Sequence, residues 1–144
     1  MAERSAVVDA SVLAEYLAPG SAHGDVAPLF DPESRMELWT PDLCLLEVAN
    51  VLRKRFLTDR RFTRQHLADG VADLLGLGLL IVSSRALVEG AIRFADNLTV
   101  YDAAHLVLAA ARHNPICTLD TRLAKEARRA GVTVLVPGTD PLIA

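Results

Sequence analysis

The sequence predicts an α/β fold: a three-layer α/β/α sandwich around a parallel five-stranded sheet. Three observations carry this expectation. Short β-rich runs at 5 to 9, 36 to 40, 79 to 83, 115 to 119 and 133 to 136 alternate with segments of helical periodicity. The runs AVV, LIV, ICTL and TVLV are almost continuously apolar, as strands are when helices cover both faces of their sheet. No Pro/Gly/Ser-rich linker, charge block or internal repeat divides the chain, so residues 1 to 144 read as one domain.

In chain order, SAVVD opens the sheet and a helix over 10 to 18 follows directly. The segment 19 to 35, PGSAHGDVAPLFDPESR, reads as a loop with one short helix. After the run at 36 to 40 come helices over 42 to 56 and 64 to 76, then the run at 79 to 83 and a helix over 84 to 95. Thr99 is placed to N-cap a helix over 100 to 113. The run at 115 to 119 leads into a helix over 121 to 130, which Gly131 ends as a C-terminal cap before the last run at 133 to 136.

Composition narrows the partners. A net charge of −3 removes any global electrostatic case for nucleic acid. The basic residues nevertheless cluster as Arg53, Lys54, Arg55, Arg60, Arg61 and Arg64, and again as Arg122, Lys125, Arg128 and Arg129, which read either as local patches or as ordinary solvated helix faces. A hydrophobic share of 51% with mean hydropathy +0.27 is high for a monomer of this size, so part of the surplus is expected in a protein interface. The longest apolar runs, 74 to 82 and 103 to 111, fall far short of the roughly 20 residues of a membrane span. MAERS passes straight into a strand-like run without a cationic leader and apolar core, so secretion is not expected. Cys44 and Cys117 read as buried reduced thiols, with no CxxC or Cys/His spacing that suggests zinc. The expected compartment is the cytoplasm.

The chemistry lies in four acids. Asp9, Glu47, Asp102 and Asp120 sit in the segments VVDASVL, PDLCLLEVANVL, LTVYDAAHLVLAAA and ICTLDTRLAKEA, at strand ends or helix starts and among mostly apolar neighbours. Such acids must change charge, find a partner or hold a cation. In an open parallel sheet, ligands bind beyond the carboxyl ends of the strands where strand order reverses, so Asp9 and Asp120 face one crevice if their strands are adjacent. Asp102 and Glu47 then lean in from helices. Capping is the competing explanation for Asp9, Asp102 and Asp120, and TVYD at Thr99 to Asp102 fits a capping box. It fails for Glu47, whose helical neighbours include Leu43, Cys44 and Val51; there the alternative is a buried salt bridge or a snorkelling side chain.

These residues resemble those of a known family. VVDASVL with Asp9 and Ser11, LLEVANVL with Glu47, YDAAHLVLA with Asp102, and TLDTRLAKEARRAGV with Thr118 and Asp120 resemble PIN-domain ribonucleases, most of all the VapC-type toxins of VapBC toxin–antitoxin pairs. No one motif is specific, but four in order at matching separations are, and the resemblance covers nearly the whole chain. The departures are the 19 to 35 segment, longer than usual, and the acidic balance. The resemblance implies a PIN-like fold, a divalent-metal-dependent endoribonuclease, inhibition by a cognate VapB-type antitoxin, and a homodimer. Carboxylate donors suit Mg²⁺, or Mn²⁺ in its place, better than zinc. Asp9, Asp102 and Asp120, with Glu47 directly or through water, are the expected ligands of one or two ions, which activate water for attack on a phosphodiester and leave a 5′-phosphate and a 3′-hydroxyl. Ser11 and Thr118 read as supporting or phosphate-contacting hydroxyls, or as ordinary cap and strand-end hydrogen bonders. His105 shares a helix face with Asp102 but is expected to pack rather than act as a base. Trp39 and Tyr101 are likewise expected to pack, although either side chain suits base stacking. A haloacid-dehalogenase-like phosphotransferase would need a second Asp where Ser11 stands. The remaining alternative is a catalytically silent PIN-like module that binds RNA or protein.

Overall fold

The computed structural model describes residues 4–141. Its sheet comprises β1 (Arg4–Val8), β2 (Met36–Pro41), β3 (Leu80–Val82), β4 (Ile116–Cys117) and β5 (Val134–Leu135), ordered β3-β2-β1-β4-β5. Every pairing is parallel. The helices are α1 (Ala10–Leu17), α2 (His23–Val26), α3 (Leu43–Thr58), α4 (Arg64–Gly76), α5 (Val88–Ala91), α6 (Val100–Arg112) and α7 (Thr121–Arg129).

Alternation along β1 explains the layers. Ala6 and Val8 point into a core shared with Val12, Leu13, Cys44, Val48, Leu52 and Leu74 of α1, α3 and α4. Val7 points into the opposite core, with Leu106 and Ala109 of α6 and Leu123 and Ala127 of α7. Because side chains on a strand alternate with period two, a strand apolar at every position is buried twice, and Ala6, Val7 and Val8 are all fully inaccessible. The expected three-layer sandwich is therefore present. Among the described residues, no helix is long and apolar enough to cross a membrane.

Three local expectations are corrected. The helix expected over 84 to 95 is a 3₁₀ turn at Ser84–Ala86, the single turn α5, and another 3₁₀ turn at Ile92–Phe94. A β-carbon added at Gly90 would sit 3.0 Å from Val107 Cγ1, so this stretch lies tightly against α6 and follows its surface rather than its own helical period. β4 and β5 keep only two residues each. The segment 19 to 35 contains α2 and two 3₁₀ turns rather than one helix. It is tied down by Glu15, whose Oε1 accepts the Gly20 and Ala22 N–H groups at 3.0 and 2.8 Å, and by Tyr16, which stacks on His23 and Phe30. The cap at Gly131 holds. With φ +79° at Gly131, the Val132 N–H reaches Ala127 O at 2.9 Å and the Gly131 N–H reaches Arg128 O at 3.0 Å, a Schellman closure of α7.

Candidate metal centre

Strand order reverses at β1, where α1 leaves toward β2 on one side and β4 pairs on the other. Val8 stands opposite Cys117, so Asp9, the next residue, lies beside Thr118 at the carboxyl end of the seam. Asp9 is only 5% exposed. Its Oδ1 accepts from Ser11 Oγ at 2.6 Å and from the Val12 N–H at 3.2 Å, and its Oδ2 accepts from Thr118 Oγ1 at 2.5 Å. Each hydroxyl has one hydrogen, and both go to Asp9. Their lone pairs take backbone donors in turn: Leu119 N–H reaches Ser11 Oγ at 3.0 Å and Asp120 N–H reaches Thr118 Oγ1 at 2.9 Å. Ser11 and Thr118 thus hold Asp9 in place, and capping accounts for only one of its three hydrogen bonds. Burial nevertheless pushes the Asp9 carboxyl up, against the Ser11 and Thr118 hydrogen bonds, the His105 charge and the Val12 N–H.

Thr118→Val keeps the shape of this fully buried side chain but removes both its bonds. We expect it to destabilise the fold by about 1–3 kcal/mol through the unpaired Asp9 oxygen and Asp120 N–H. Chemical denaturation measures this, and an unchanged midpoint would mean that the hydroxyl does not hold Asp9.

The other acids approach from helix ends. Asp120 caps α7, with Oδ1 accepting the Arg122 and Leu123 N–H groups at 2.9 and 3.2 Å, which leaves Oδ2 for the cavity. In the capping box expected at Thr99 only one half forms. Thr99 Oγ1 accepts the Asp102 N–H at 3.2 Å, while the Asp102 carboxylate does not return the bond and faces the cavity. Glu47, one turn into α3, is half-buried, and its Oε1 is buried without a hydrogen-bond partner. Burial first, then the charges of Asp102 and Asp9, raise its carboxyl from 4.5 to about 7. All four acids line one cavity of about 540 Å³.

Sequence reasoning missed two features of this cavity. Glu47, Val51, Lys54, Arg55 and Thr58 line it together, a helical stripe that a 3.6-residue period starting at Glu47 would have found. Arg55 is committed to the Ala18 and Pro19 carbonyls at 3.5 and 3.1 Å and to Asp59 at 3.2 Å, so Lys54 is the exposed cation left to the cavity. His105, expected to pack, is only 1% exposed yet also lines the cavity. Its Nδ1–H donates to Tyr101 O at 2.9 Å. Trp39 packs as expected, under the Arg112 guanidinium at 3.3 Å. Tyr101 does not: it is 60% exposed.

The PIN domain profile matches residues 6–129, and the chain belongs to the PIN domain family. No curated protein sequence matches it significantly. Among solved structures it is similar to VapC20 of Mycobacterium tuberculosis, described as a sarcin-ricin loop cleaving toxin, with TM-score 0.62, 18% identity, and coverage of 83% of this chain and 93% of that one. It is also similar to VapBC2 of Rickettsia felis bound to a promoter DNA fragment, with TM-score 0.60, 12% identity, and 92% and 98% coverage. A third is PAE2754 of Pyrobaculum aerophilum, with TM-score 0.59, 19% identity, and 92% and 83% coverage.

The residues fit a hard divalent cation. The donors are carboxylate oxygens on one cavity, one of them is buried and unpaired, and two neighbouring acids raise Glu47 by repulsion that a cation would reverse.

Proposed function

We propose that the chain is a metal-dependent endoribonuclease and the toxin of a VapC-type toxin–antitoxin pair. The observation that carries this reading is the convergence of Asp9, Glu47, Asp102 and Asp120 on one cavity at the β1/β4 seam. Asp9, Asp102 and Asp120 are the residues to hold Mg²⁺ or Mn²⁺, with Glu47 joining directly or through water. When bound, such an ion supplies a water of lowered pKa and positive charge against the phosphate. Asp9, fixed by Ser11 and Thr118, sets the position of the carboxylate set. Glu47 Oε1, without a partner in the fold, is placed to accept a proton from water. Lys54 on the cavity rim pairs with the RNA backbone, as a flexible ammonium suits a phosphate. The products are a 5′-phosphate and a 3′-hydroxyl.

Partners follow from the surface. On α3, Val51 is 40% exposed on the cavity wall and Leu46 and Leu57 are exposed at 77% and 60%, a place for an apolar antitoxin helix whose Arg or Lys reaches the carboxylates. Val88, Ile92 and Tyr101 expose a second apolar face near α5 and α6, suited to a homodimer contact. The cytoplasm is the compartment where such a toxin meets RNA.

The test is to induce the chain alone in cells and map RNA ends. Discrete new 5′-phosphate ends are expected with wild type and none with Asp102→Asn, whereas ends common to both would leave a silent binding module. Lys54→Ala is expected to raise KM for RNA severalfold and to reduce the slope of binding against salt by about one, with Mn²⁺ affinity unchanged. Filter binding across a salt series reads this, and an unchanged slope would remove Lys54 from the interface.

A further inference from the structure

The floor of the cavity carries a donor set that the carboxylate chemistry uses only through Glu47. Cys44 Sγ, a Glu47 carboxylate oxygen and a His105 ring nitrogen all lie within 4.8 Å of one another. Cys44 is fully buried and His105 is 1% exposed. His105 Nδ1 gives its hydrogen to the Tyr101 carbonyl, so in the neutral ring Nε2 is a bare lone pair. Nε2 is buried without a partner, and so is Glu47 Oε1. A bare imidazole nitrogen and a carboxylate oxygen are both acceptors, and two buried acceptors with no partner in the protein call for a proton, a water or a cation.

We propose that Cys44, Glu47 and His105 form a site for a thiophilic divalent cation of the Zn²⁺ class, distinct from the carboxylate centre but sharing Glu47 with it. One sulfur, one imidazole nitrogen and one carboxylate oxygen are zinc donors, whereas Mg²⁺ disfavours the first two. Tetrahedral zinc needs donors roughly 3.3–3.8 Å apart, so separations of up to 4.8 Å close by at most about 1.5 Å through side-chain rotation. Glu47 and His105 line the cavity and Cys44 lies beneath it, which leaves the fourth position to water on the open side. As the Sγ–metal bond forms, the thiol proton leaves through the cavity to bulk water. Cys44 is on α3 and His105 on α6, packed into cores on opposite faces of the sheet, so no Cys/His spacing along the chain signals the site.

The consequence rests on the function proposed above. An ion held by Cys44 and His105 turns Glu47 down and away from the carboxylate centre, so zinc is an off-switch and Mg²⁺ or Mn²⁺ the activator.

The experiment titrates the full chain with Co²⁺, then Zn²⁺. Expected are one equivalent of Co²⁺ with a thiolate-to-cobalt charge-transfer band, loss of that band when Zn²⁺ displaces it, and a rise in Tm with Zn²⁺ beyond the one Mg²⁺ gives, the excess being lost in Cys44→Ala. Cys44→Ala and His105→Gln should each abolish the band while retaining a cooperative melt. Mn²⁺-dependent RNA cleavage by Cys44→Ala should persist and need about tenfold or more Zn²⁺ for the same inhibition. A missing band, or one that survives Cys44→Ala, overturns the site. Equal zinc sensitivity of Cys44→Ala and wild type overturns the switch, because Zn²⁺ would then act at the carboxylates alone. If no cleavage is seen in any variant, the nuclease reading fails while the cobalt band still decides the site.

Discussion

Asp102→Asn and Asp9→Asn should abolish RNA cleavage alike and move apo stability in opposite directions. Each removes a proposed metal ligand, and the loss is expected to be roughly a thousandfold, on the order of 4 kcal/mol in the barrier. Asp102 holds no hydrogen bond with its carboxylate in the described structure and pushes the neighbouring Glu47 up. Neutralising it removes repulsion and should raise the Tm without metal. Asp9 instead accepts two hydroxyl hydrogens and one backbone N–H. An amide offers one acceptor oxygen in place of two, so a donor now bonded to the Asp9 carboxylate meets an N–H instead and loses its partner. Asp9→Asn should therefore lower the apo Tm, by about 1–3 kcal/mol of stability. Paired calorimetry and cleavage assays test both. A fall for Asp102→Asn would show that its carboxylate stabilises the fold rather than opposing it.

The second expected effect is a metal-dependent reversal of the pH profile. Glu47 is raised from 4.5 to about 7, so the folded state holds its proton more tightly than the unfolded chain. Its contribution to apo stability is fully present below about 4.5 and is lost as pH rises through about 7. The group is half-exposed, and after solvent screening the loss is on the order of 1–2 kcal/mol. Glu47→Gln should flatten this slope and raise apo stability at pH 8. Mn²⁺ should act the other way: linkage contributes about 2.7 kcal/mol at 100 Kd, and it grows with pH because the ligand must be ionised. Thermal melts at pH 5.5 and 8 with EDTA or Mn²⁺ decide this. Equal apo stability of wild type and Glu47→Gln at both pH values would remove Glu47 from the account.

The fold was legible because the strands are short and apolar and alternate with helical segments, and because acids interrupt the apolar pattern where strands end. Glu47 was the most telling residue, since no capping role competes at its position. Asp9 and Asp120 were ambiguous for a physical reason: the carboxyl end of a parallel strand is also the N-terminus of the next helix, and one carboxylate serves both places. Asp120 does cap, with Oδ1, and still lines the cavity. The closeness of Cys44 and His105 was out of reach, because it exists only once α3 and α6 are brought to the carboxyl end of the sheet from opposite faces. The breaks on either side of Val88–Ala91 were hidden too, since apolar periodicity over 84 to 95 cannot tell a helix from turns moulded onto a neighbour.

The Leu119 and Asp120 amides end on hydroxyls that answer in turn to Asp9, so two backbone protons report on a carboxylate they never touch. Ser11 or Thr118 can donate to Asp9 and hold its amide only while Asp9 stays put. Amide hydrogen exchange at these two positions should therefore slow when a cation pins the carboxylate and quicken when Asp9 is lost, ahead of any exchange in the β1 core. A pair of peptide-level exchange rates would then report occupancy of the centre without RNA, and would continue to do so in variants that no longer cleave.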